Sequence, residues 1–358
     1  MAINLAQTLQ DQGGCALNYV KVIDLIKDDK QRISGVVAED SLSGERFNLH
    51  CKAVVNATGV FTDSIMQLDK PSDKAFVVPS QGIHLVLARD FLQSEHALMI
   101  PKTDDGRVLF AVPWHGKVII GTTDVRVERP ELEPKPLAQE IDFILQTAAN
   151  YLTKAPTKAD VLSVFAGLRP LAAPEKEGQK SKEVSRSHKV HVSDSGLVTI
   201  IGGKWTTYRK MAEDTIDKAI ENSDLPNKAC VSETLAIHGN RPTNEQDRQN
   251  HLYLYGSDAP AIEQLSAENP DYKQRLHPKY PYTLAEVVWA IREEMAQNVE
   301  DILARRVRLL FLDARAAIES AQSVARLIAS EHNHPQEWID TQIQNFTTLA
   351  KGYLLTEN

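Results

Sequence analysis

Cysteine is scarce in this sequence, and the cysteines present form no pattern. Cys15, Cys51 and Cys230 are far apart and odd in number, and the chain has no CxxC motif and no Cys/His cluster. These features argue against a disulfide framework and a structural zinc site. We therefore expect a reduced, cytoplasmic chain with buried thiols and no bound metal.

Positive charge and long apolar runs are lacking as well. The 40 Lys and Arg residues face 48 Asp and Glu residues, which gives a formal net charge of -8. Phosphate backbones demand a basic surface, so this balance excludes a general nucleic-acid-binding protein. A local basic pocket for one small anion remains compatible with it. No stretch approaches the ~18 apolar residues that a membrane-spanning helix needs.

The remaining composition is typical of a soluble globular protein. Hydrophobic residues make up 42% of the 358 residues and charged residues 25%. These values exclude a disordered chain, a collagen-like fibre and a coiled-coil rod. The length predicts about two domains, or about three.

The hydrophobic periodicity divides the chain into regions. A helix is predicted at the start, then short strands, an antiparallel β region, a strand followed by an amphipathic helix, and a mostly helical region. The corresponding ranges are 2–10, 16–56, 76–123, 197–220 and 238–358, with 284–320 the clearest helical pattern. A hairpin is predicted at Pro113–Gly116, and an exposed loop at 174–187.

Two strand ends rich in small residues are candidate ligand sites. Val54–Gly59 is an apolar strand that ends in Ala57, Thr58 and Gly59, which would let the backbone approach a flat or phosphorylated ligand. Tight turn packing explains this first motif equally well. The second strand runs into Gly202 and Gly203, followed by Lys204, Thr206 and Thr207. A strand, a glycine pair and a helix start present N–H groups to an anion, which favours a cofactor or anion site.

Single basic residues are the other candidates. Arg169 precedes a proline, which holds it extended, and its guanidinium suits phosphate or carboxylate; a surface ion pair is the alternative. Arg186 is a weaker candidate of the same kind. His84 lies in an alternating strand and could act as a base or be a merely half-buried residue. His188 and His191 face opposite sides of a strand, so they are not a metal site.

Taken together, these motifs resemble the FAD-dependent glycerol-3-phosphate dehydrogenases along essentially the whole chain. The resemblance is carried by VVNATGVFTDSI (54–65), PSQGIHLVL (79–87), VPWHGKVIIGTTD (112–124), FAGLRPL (165–171), IGGKWTTYRKMAED (201–214) and the helical segment 281–319. Each motif alone is modest, and their number and order make the resemblance specific.

The resemblance implies an α/β plus α fold. An FAD-binding domain, similar to those of glutathione reductase and D-amino-acid oxidase, would contain an inserted antiparallel β substrate domain and be followed by a helical domain. The implied limits are 1–72 and 196–225 for the FAD-binding domain, 73–195 for the substrate domain and 226–358 for the helical domain. The resemblance also implies a reaction, the oxidation of sn-glycerol 3-phosphate to dihydroxyacetone phosphate. A hydride would pass to flavin N5, and the electrons would then pass to a membrane quinone.

Roles for single residues follow from the same resemblance. His84 would receive the C2 hydroxyl proton, and Lys204 would lie near flavin and substrate. Arg169 and Arg186 would hold the phosphate. The cofactor would be contacted by Ala57, Thr58, Gly59, Gly202, Gly203, Thr206 and Thr207.

One part of the family pattern is absent. The 17 glycines include no G-x-G pair, whereas the family begins with a G-x-G-x-x-G turn that cradles the ADP part of FAD. We therefore expect a C-terminal portion of such an enzyme that binds FAD weakly or not at all and is inactive alone.

Several alternatives stay open at this point. A glycerol-3-phosphate oxidase that uses oxygen shares the motifs. A non-catalytic module with a partner or oligomer surface from about Glu233 onward belongs to another class. Peripheral contact with the inner face of the cell membrane and homo-oligomerisation are also compatible with the sequence.

Overall fold

The computed structural model describes residues 1–101, 103, 106–173 and 187–355. It opens with helix α1 (Ala2–Asp11) and the strands β1 (Val20–Lys27), β2 (Ile33–Asp40) and β3 (Arg46–His50), which form an antiparallel sheet in that order. The glycine Gly13, with φ +81°, follows the end of α1. The predicted initial helix and the strands after it are confirmed.

A short sheet of mixed direction joins two distant parts of the chain. Its strands are β4 (Val55–Asn56), β11 (His188–Val192) and β12 (Val198–Gly202), in the order β11-β12-β4. β12 runs parallel to β4 and antiparallel to β11. Helix α2 (Thr62–Asp69) follows β4, and α4 (Tyr208–Glu221) follows β12. Both strand ends predicted as ligand sites therefore lie in one sheet.

The largest sheet is antiparallel and carries most of the remaining strands. They are β5 (Val77–Ala88), β6 (Leu98–Ile100), β7 (Leu109–Trp114), β8 (Lys117–Gly121), β9 (Val125–Arg126) and β10 (Ser163–Ala172). The order is β10-β5-β8-β7-β6, with β9 also paired to β5. Helix α3 (Ala138–Ala149) covers one face, where Ile83, Leu85, Ile120 and Ile144 are almost fully buried. The predicted hairpin is confirmed, with its turn at His115 and Gly116.

The last third of the described chain is helical. It contains α5 (Ala259–Glu268), α6 (Leu284–Glu293), a π-helical turn (Asp301–Arg306), α7 (Leu309–Leu312), α8 (Ala314–His332) and α9 (Gln336–Lys351). We call α5–α9 the helical unit. The predicted helical stretch 284–320 is interrupted at Met295 and Arg308, whose φ values of 56° and 58° are left-handed and incompatible with an α-helix.

The cysteine prediction is wrong in one respect. Cys15, Cys51 and Cys230 are free, but all of them are exposed rather than buried. Each lies in a segment that connects regular elements, and such segments run over the surface. The α/β plus α fold class is confirmed. The four domain limits stay a prediction, and β11, on the substrate side of the limit at 195, pairs with β12.

Candidate active site

Alternation along β5 places the candidate base on the face opposite the core. Ile83 and Leu85 are fully buried beneath α3. Side chains of successive strand residues point to opposite sides, so Ser80, Gly82 and His84 share the other face. The candidate site is built on this second face, where Ser80 is also almost fully buried.

The register of β10 brings the candidate arginine to the same face. Gly167 lies opposite Gly82, Arg169 opposite Ser80, and Phe165 opposite His84. Residues paired across antiparallel strands project to the same side of the sheet. Residues separated by 81 to 89 positions in the sequence thus become neighbours.

The Arg169 guanidinium occupies the space above Gly82. A Cβ at residue 82 would lie 2.6 Å from Nη1 of Arg169 and 2.6 Å from Oγ1 of Thr122. Nη2 of Arg169 donates a hydrogen bond of 3.1 Å to that hydroxyl. Within the described residues, Nη1 is buried and has no hydrogen-bond acceptor. A buried donor of this kind is ready for an oxygen of a bound anion.

One carboxylate stands beside this donor. Oδ1 of Asp124 lies 3.9 Å from Nη1 of Arg169, an ion-pair distance that is too long for a hydrogen bond. The same oxygen accepts a hydrogen bond from the Ser80 hydroxyl. Asp124 therefore balances part of the guanidinium charge and leaves Nη1 open.

A second glycine makes room for His84. A Cβ at Gly121 would come within 2.8 Å of Cγ and Nε2 of the imidazole, so only glycine allows the ring to lie there. Phe165 stacks on the ring with centroids 5.4 Å apart and an angle of 22°. Burial first, and then the Arg169 charge, lower the pKa of His84 to about 4. The imidazole is therefore neutral near pH 7 and able to accept a proton.

The base and the arginine are close because of these glycines. Gly82 and His84 are two positions apart on one strand face, which corresponds to roughly 6.6 Å along the strand. The guanidinium lies over the first position, and the imidazole occupies the second.

Lys204 and Arg169 line one cavity of about 930 Å³, together with Thr122, Asp124 and Gly203. Lys204 is exposed, and its ammonium has no polar partner among residues whose positions are described. The wall of this cavity does not include His84. The structure thus brings the two cations to one cavity and places His84 beside Arg169.

A second cavity of about 540 Å³ adjoins the first through Gly202, Gly203 and Lys204. Its wall includes Ala57 and Gly59, and its remaining surface is largely apolar, formed by side chains such as Met211 and Tyr208 of α4. Gly59 has φ +62°, and a Cβ there would meet open space. Both predicted strand ends therefore face a single apolar cavity.

The threonines predicted as cofactor contacts do not line either cavity. Thr58 donates to Oδ1 of Asn56 at 2.7 Å, and Thr207 donates to the carbonyl of Lys204 at 3.0 Å. Thr206 and Thr207 are exposed in a short turn before α4 and line neither cavity. Arg186 lies outside the described residues.

Other residues of the site were not predicted. Ser80, Thr122 and Asp124 surround Arg169 and lie inside the motifs PSQGIHLVL and VPWHGKVIIGTTD. Their polar type within or just after a strand is a weak signal, because it does not reveal which strand is adjacent. Trp205 lines both cavities, is 59% exposed and stacks on Tyr208 at 5.3 Å.

The sequence matches the models of two protein families. The model of the FAD dependent oxidoreductase family matches residues 1–209. The chain belongs to this family. A second model, the C-terminal domain of alpha-glycerophosphate oxidase, matches residues 196–339 and so covers most of the helical unit.

Curated relatives refine the comparison within the FAD dependent oxidoreductase family. The chain is 38% identical to a probable mitochondrial glycerol-3-phosphate dehydrogenase of Dictyostelium discoideum, an alignment that covers 99% of this chain and 59% of the relative. It is 35% identical to the mitochondrial glycerol-3-phosphate dehydrogenase of Bos taurus, covering 100% and 52%. The chain thus spans between half and three-fifths of the length of these relatives.

A solved structure supports the same assignment. The glycerol-3-phosphate dehydrogenase of Bacillus halodurans, complexed with FAD, superposes with a TM-score of 0.84 at 27% identity, covering 99% of this chain and 74% of the other. The resemblance to FAD-dependent glycerol-3-phosphate dehydrogenases is therefore confirmed. Among the described helices, none combines the length and apolar character needed to cross a membrane.

Proposed function

We propose that this protein serves the oxidation of the C2 hydroxyl of sn-glycerol 3-phosphate to dihydroxyacetone phosphate, with FAD as cofactor. The observation that carries the proposal is the open Nη1 donor of Arg169 beside the neutral His84. A phosphate monoester would satisfy the donor, and the neighbouring imidazole could accept a proton. The named relatives are glycerol-3-phosphate dehydrogenases, which supports this substrate.

The phosphate would be held by cations on two sides of the larger cavity. Arg169 offers two N–H groups in a fixed fork, and Lys204 adds a mobile point charge. Arg186 remains a proposed third cation on the strength of the resemblance alone. Dianion binding would also draw the guanidinium away from Asp124, which holds it at 3.9 Å without a hydrogen bond.

His84 would act on the hydroxyl of the substrate. The neutral imidazole accepts the O–H proton as the C2 carbonyl forms and the C2 hydrogen leaves with two electrons. Lys204 would stabilise negative charge that develops near the reacting oxygen. Bound FAD supplies the two-electron oxidant for this step.

The described residues fit one part of FAD. Gly59 exposes backbone to the apolar cavity without side-chain obstruction, and Gly203 and Lys204 border both cavities. A flat ring with one polar edge suits an apolar wall next to a cation. Ala57, Thr58, Gly202, Thr206 and Thr207 are the further proposed contacts.

The electron acceptor is proposed to be a membrane quinone, reached through peripheral contact with a membrane. The names of the relatives support a dehydrogenase rather than an oxidase. One observation favours the alternative of oxygen as acceptor, because the helical unit matches the C-terminal domain of an alpha-glycerophosphate oxidase. Hydrogen peroxide production in the presence of FAD and substrate would favour the oxidase, and quinone reduction without peroxide would favour the dehydrogenase.

We also propose that the 358 residues alone bind FAD weakly and turn over poorly. The absence of a G-x-G pair supports this, because that turn normally brings backbone N–H groups to the pyrophosphate. The alternative of a partner-binding or oligomeric module predicts a defined assembly, which light scattering of the whole chain would detect.

Arg169→Met in the full-length enzyme tests the substrate assignment. The KM for glycerol 3-phosphate should rise at least about tenfold, since a hydrogen bond to a charged group contributes about 1.5–3 kcal/mol. Arg315→Met, which removes an exposed arginine of α8, is the matched control and should leave KM unchanged. An unchanged KM in Arg169→Met would contradict the proposal.

A further inference from the structure

His84 lacks the support that usually fixes a histidine base. A catalytic imidazole is normally oriented by a hydrogen bond from one ring nitrogen to a carboxylate or a carbonyl. In the described part of the chain, neither ring nitrogen of His84 has such a partner. The ring is located by packing alone, between the backbone of Gly121 and the face of Phe165.

Phe165 is itself held by the helical unit. Phe311 of α7 contacts it edge to face, with centroids 4.9 Å apart and an angle of 82°. Tyr353, just after α9, also contacts Phe311 edge to face, with centroids 5.8 Å apart and an angle of 73°. Edge-to-face contacts have a preferred geometry, so this row of rings resists rotation of Phe165.

Hydrogen bonds also tie the strand that carries Phe165 to the helical unit and to the residues just after α9. The Ser163 hydroxyl donates to the carbonyl of Leu310 at 2.8 Å, in a buried position. The amide of Val164 donates to the carbonyl of Tyr353 at 2.9 Å, and the amide of Ala314 donates to the carbonyl of Leu162 at 3.1 Å. β10 therefore cannot shift without moving α7.

We propose that Phe311 is a positioning residue for the reaction, and that the helical unit sets the orientation of His84 through the stacked ring of Phe165. The inference rests on the proposed function, because it assumes that His84 is the base. It gives the helical unit a role in positioning His84. Arg169 is held separately, by Thr122 and Gly82, so substrate affinity should be little affected.

The test compares matched substitutions in the full-length holoenzyme. Phe311→Leu removes the edge contact, and Phe311→Tyr retains the ring. Phe346→Leu removes a ring of equal size from α9 in the same core, where Phe346 is 3% exposed and, among the described residues, has no ring contact with Phe165 or Phe311. We expect Phe311→Leu to lower kcat roughly tenfold to a hundredfold with KM nearly unchanged, as misplacement of a reacting group does.

The control variants should behave differently. Phe346→Leu should lower the melting temperature but retain kcat, and Phe311→Tyr should restore most of the kcat that Phe311→Leu loses. Equal losses of kcat in Phe311→Leu and Phe346→Leu, or a loss confined to KM, would overturn the inference.

A second readout does not depend on turnover. In protein with isotope-labelled histidine, the NMR signal of His84 is assigned from its absence in His84→Asn. Because Phe165 shifts this signal by its ring current, Phe311→Leu should move it and Phe346→Leu should not. If His84→Asn retains full kcat, the proposed function fails. If His84→Asn is inactive while the signal and kcat of Phe311→Leu match wild type, only the inference fails.

Discussion

Gly82→Ala offers a sharp test of how the anion site is built. The new methyl group would lie 2.6 Å from Nη1 of Arg169 and 2.6 Å from the Thr122 hydroxyl, closer than carbon atoms normally approach. Gly167→Ala is a matched control, because Gly167 faces Gly82 across the strands and its Cβ would meet nothing within 4 Å. Neither glycine has a positive φ, so alanine is compatible with both backbones.

The size of the expected loss of anion affinity depends on which atoms the new methyl group displaces. The atoms that the methyl group meets are the far ends of side chains, so the guanidinium shifts while the strand stays in place. Removal of glycine from a strand interior should itself be neutral or stabilising by about 0.5–1 kcal/mol. Displacement of the guanidinium should cost one charged hydrogen bond to the substrate phosphate, about 1.5–3 kcal/mol or about 10- to 150-fold in affinity.

The assay is the KM for glycerol 3-phosphate in the FAD-loaded enzyme, with the dissociation constant of inorganic phosphate as a turnover-independent measure of the anion site. Both constants should rise in Gly82→Ala and stay near wild type in Gly167→Ala, while the melting temperature changes little in either. Equal constants in the two variants would refute the location of Arg169 over Gly82 as the basis of anion binding.

Other predictions concern pH and cofactor. Arg169→Met should raise the pKa of His84 from about 4 toward 6.5, so the acid limb of kcat/KM should move to higher pH; an unmoved limb would contradict the coupling. Burial opposes the charge on His238, but Asp11 and Asp258 outweigh it and raise its pKa. The ion pairs of protonated His238 with these two carboxylates stabilise the fold fully below pH 6.5, and this contribution is lost as pH rises through the raised pKa. His238→Gln should therefore lower the melting temperature near about pH 6 and not near about pH 9. Finally, the purified 358-residue chain should show little flavin absorbance after addition of FAD and gel filtration; a stoichiometric yellow protein would refute weak binding.

Much of the local structure could be predicted because it depends on short-range patterns. Alternation along 83–87 correctly places Ile83, Leu85 and Leu87 on one buried face of β5 and His84 on the other, although Val86 on the His84 face is fully buried as well. The segment Pro113–Gly116 correctly indicates the hairpin, since glycine follows a turn residue between two apolar strands. The motif order also predicted the family, which the family model confirms.

Burial and pairing partners could not be predicted in the same way. The cysteines are exposed because of the surface path of their connecting segments, which no composition reveals. The stretch 284–320 keeps a helical pattern throughout, yet Met295 and Arg308 adopt left-handed backbones where separate helices meet. Tertiary packing overrides local propensity at such junctions.

By itself, the sequence determined the residue types of the site, the strands that carry them and the class of ligand they suit. Only the tertiary structure decided that Arg169 lies over Gly82, that His84 lies over Gly121, and that Phe311 contacts Phe165, which stacks on His84. The physical reason is strand register. A shift of one residue between β5 and β10 would turn Arg169 and Phe165 to the face opposite His84, and long-range packing, including the helical unit clamped on β10, fixes that register.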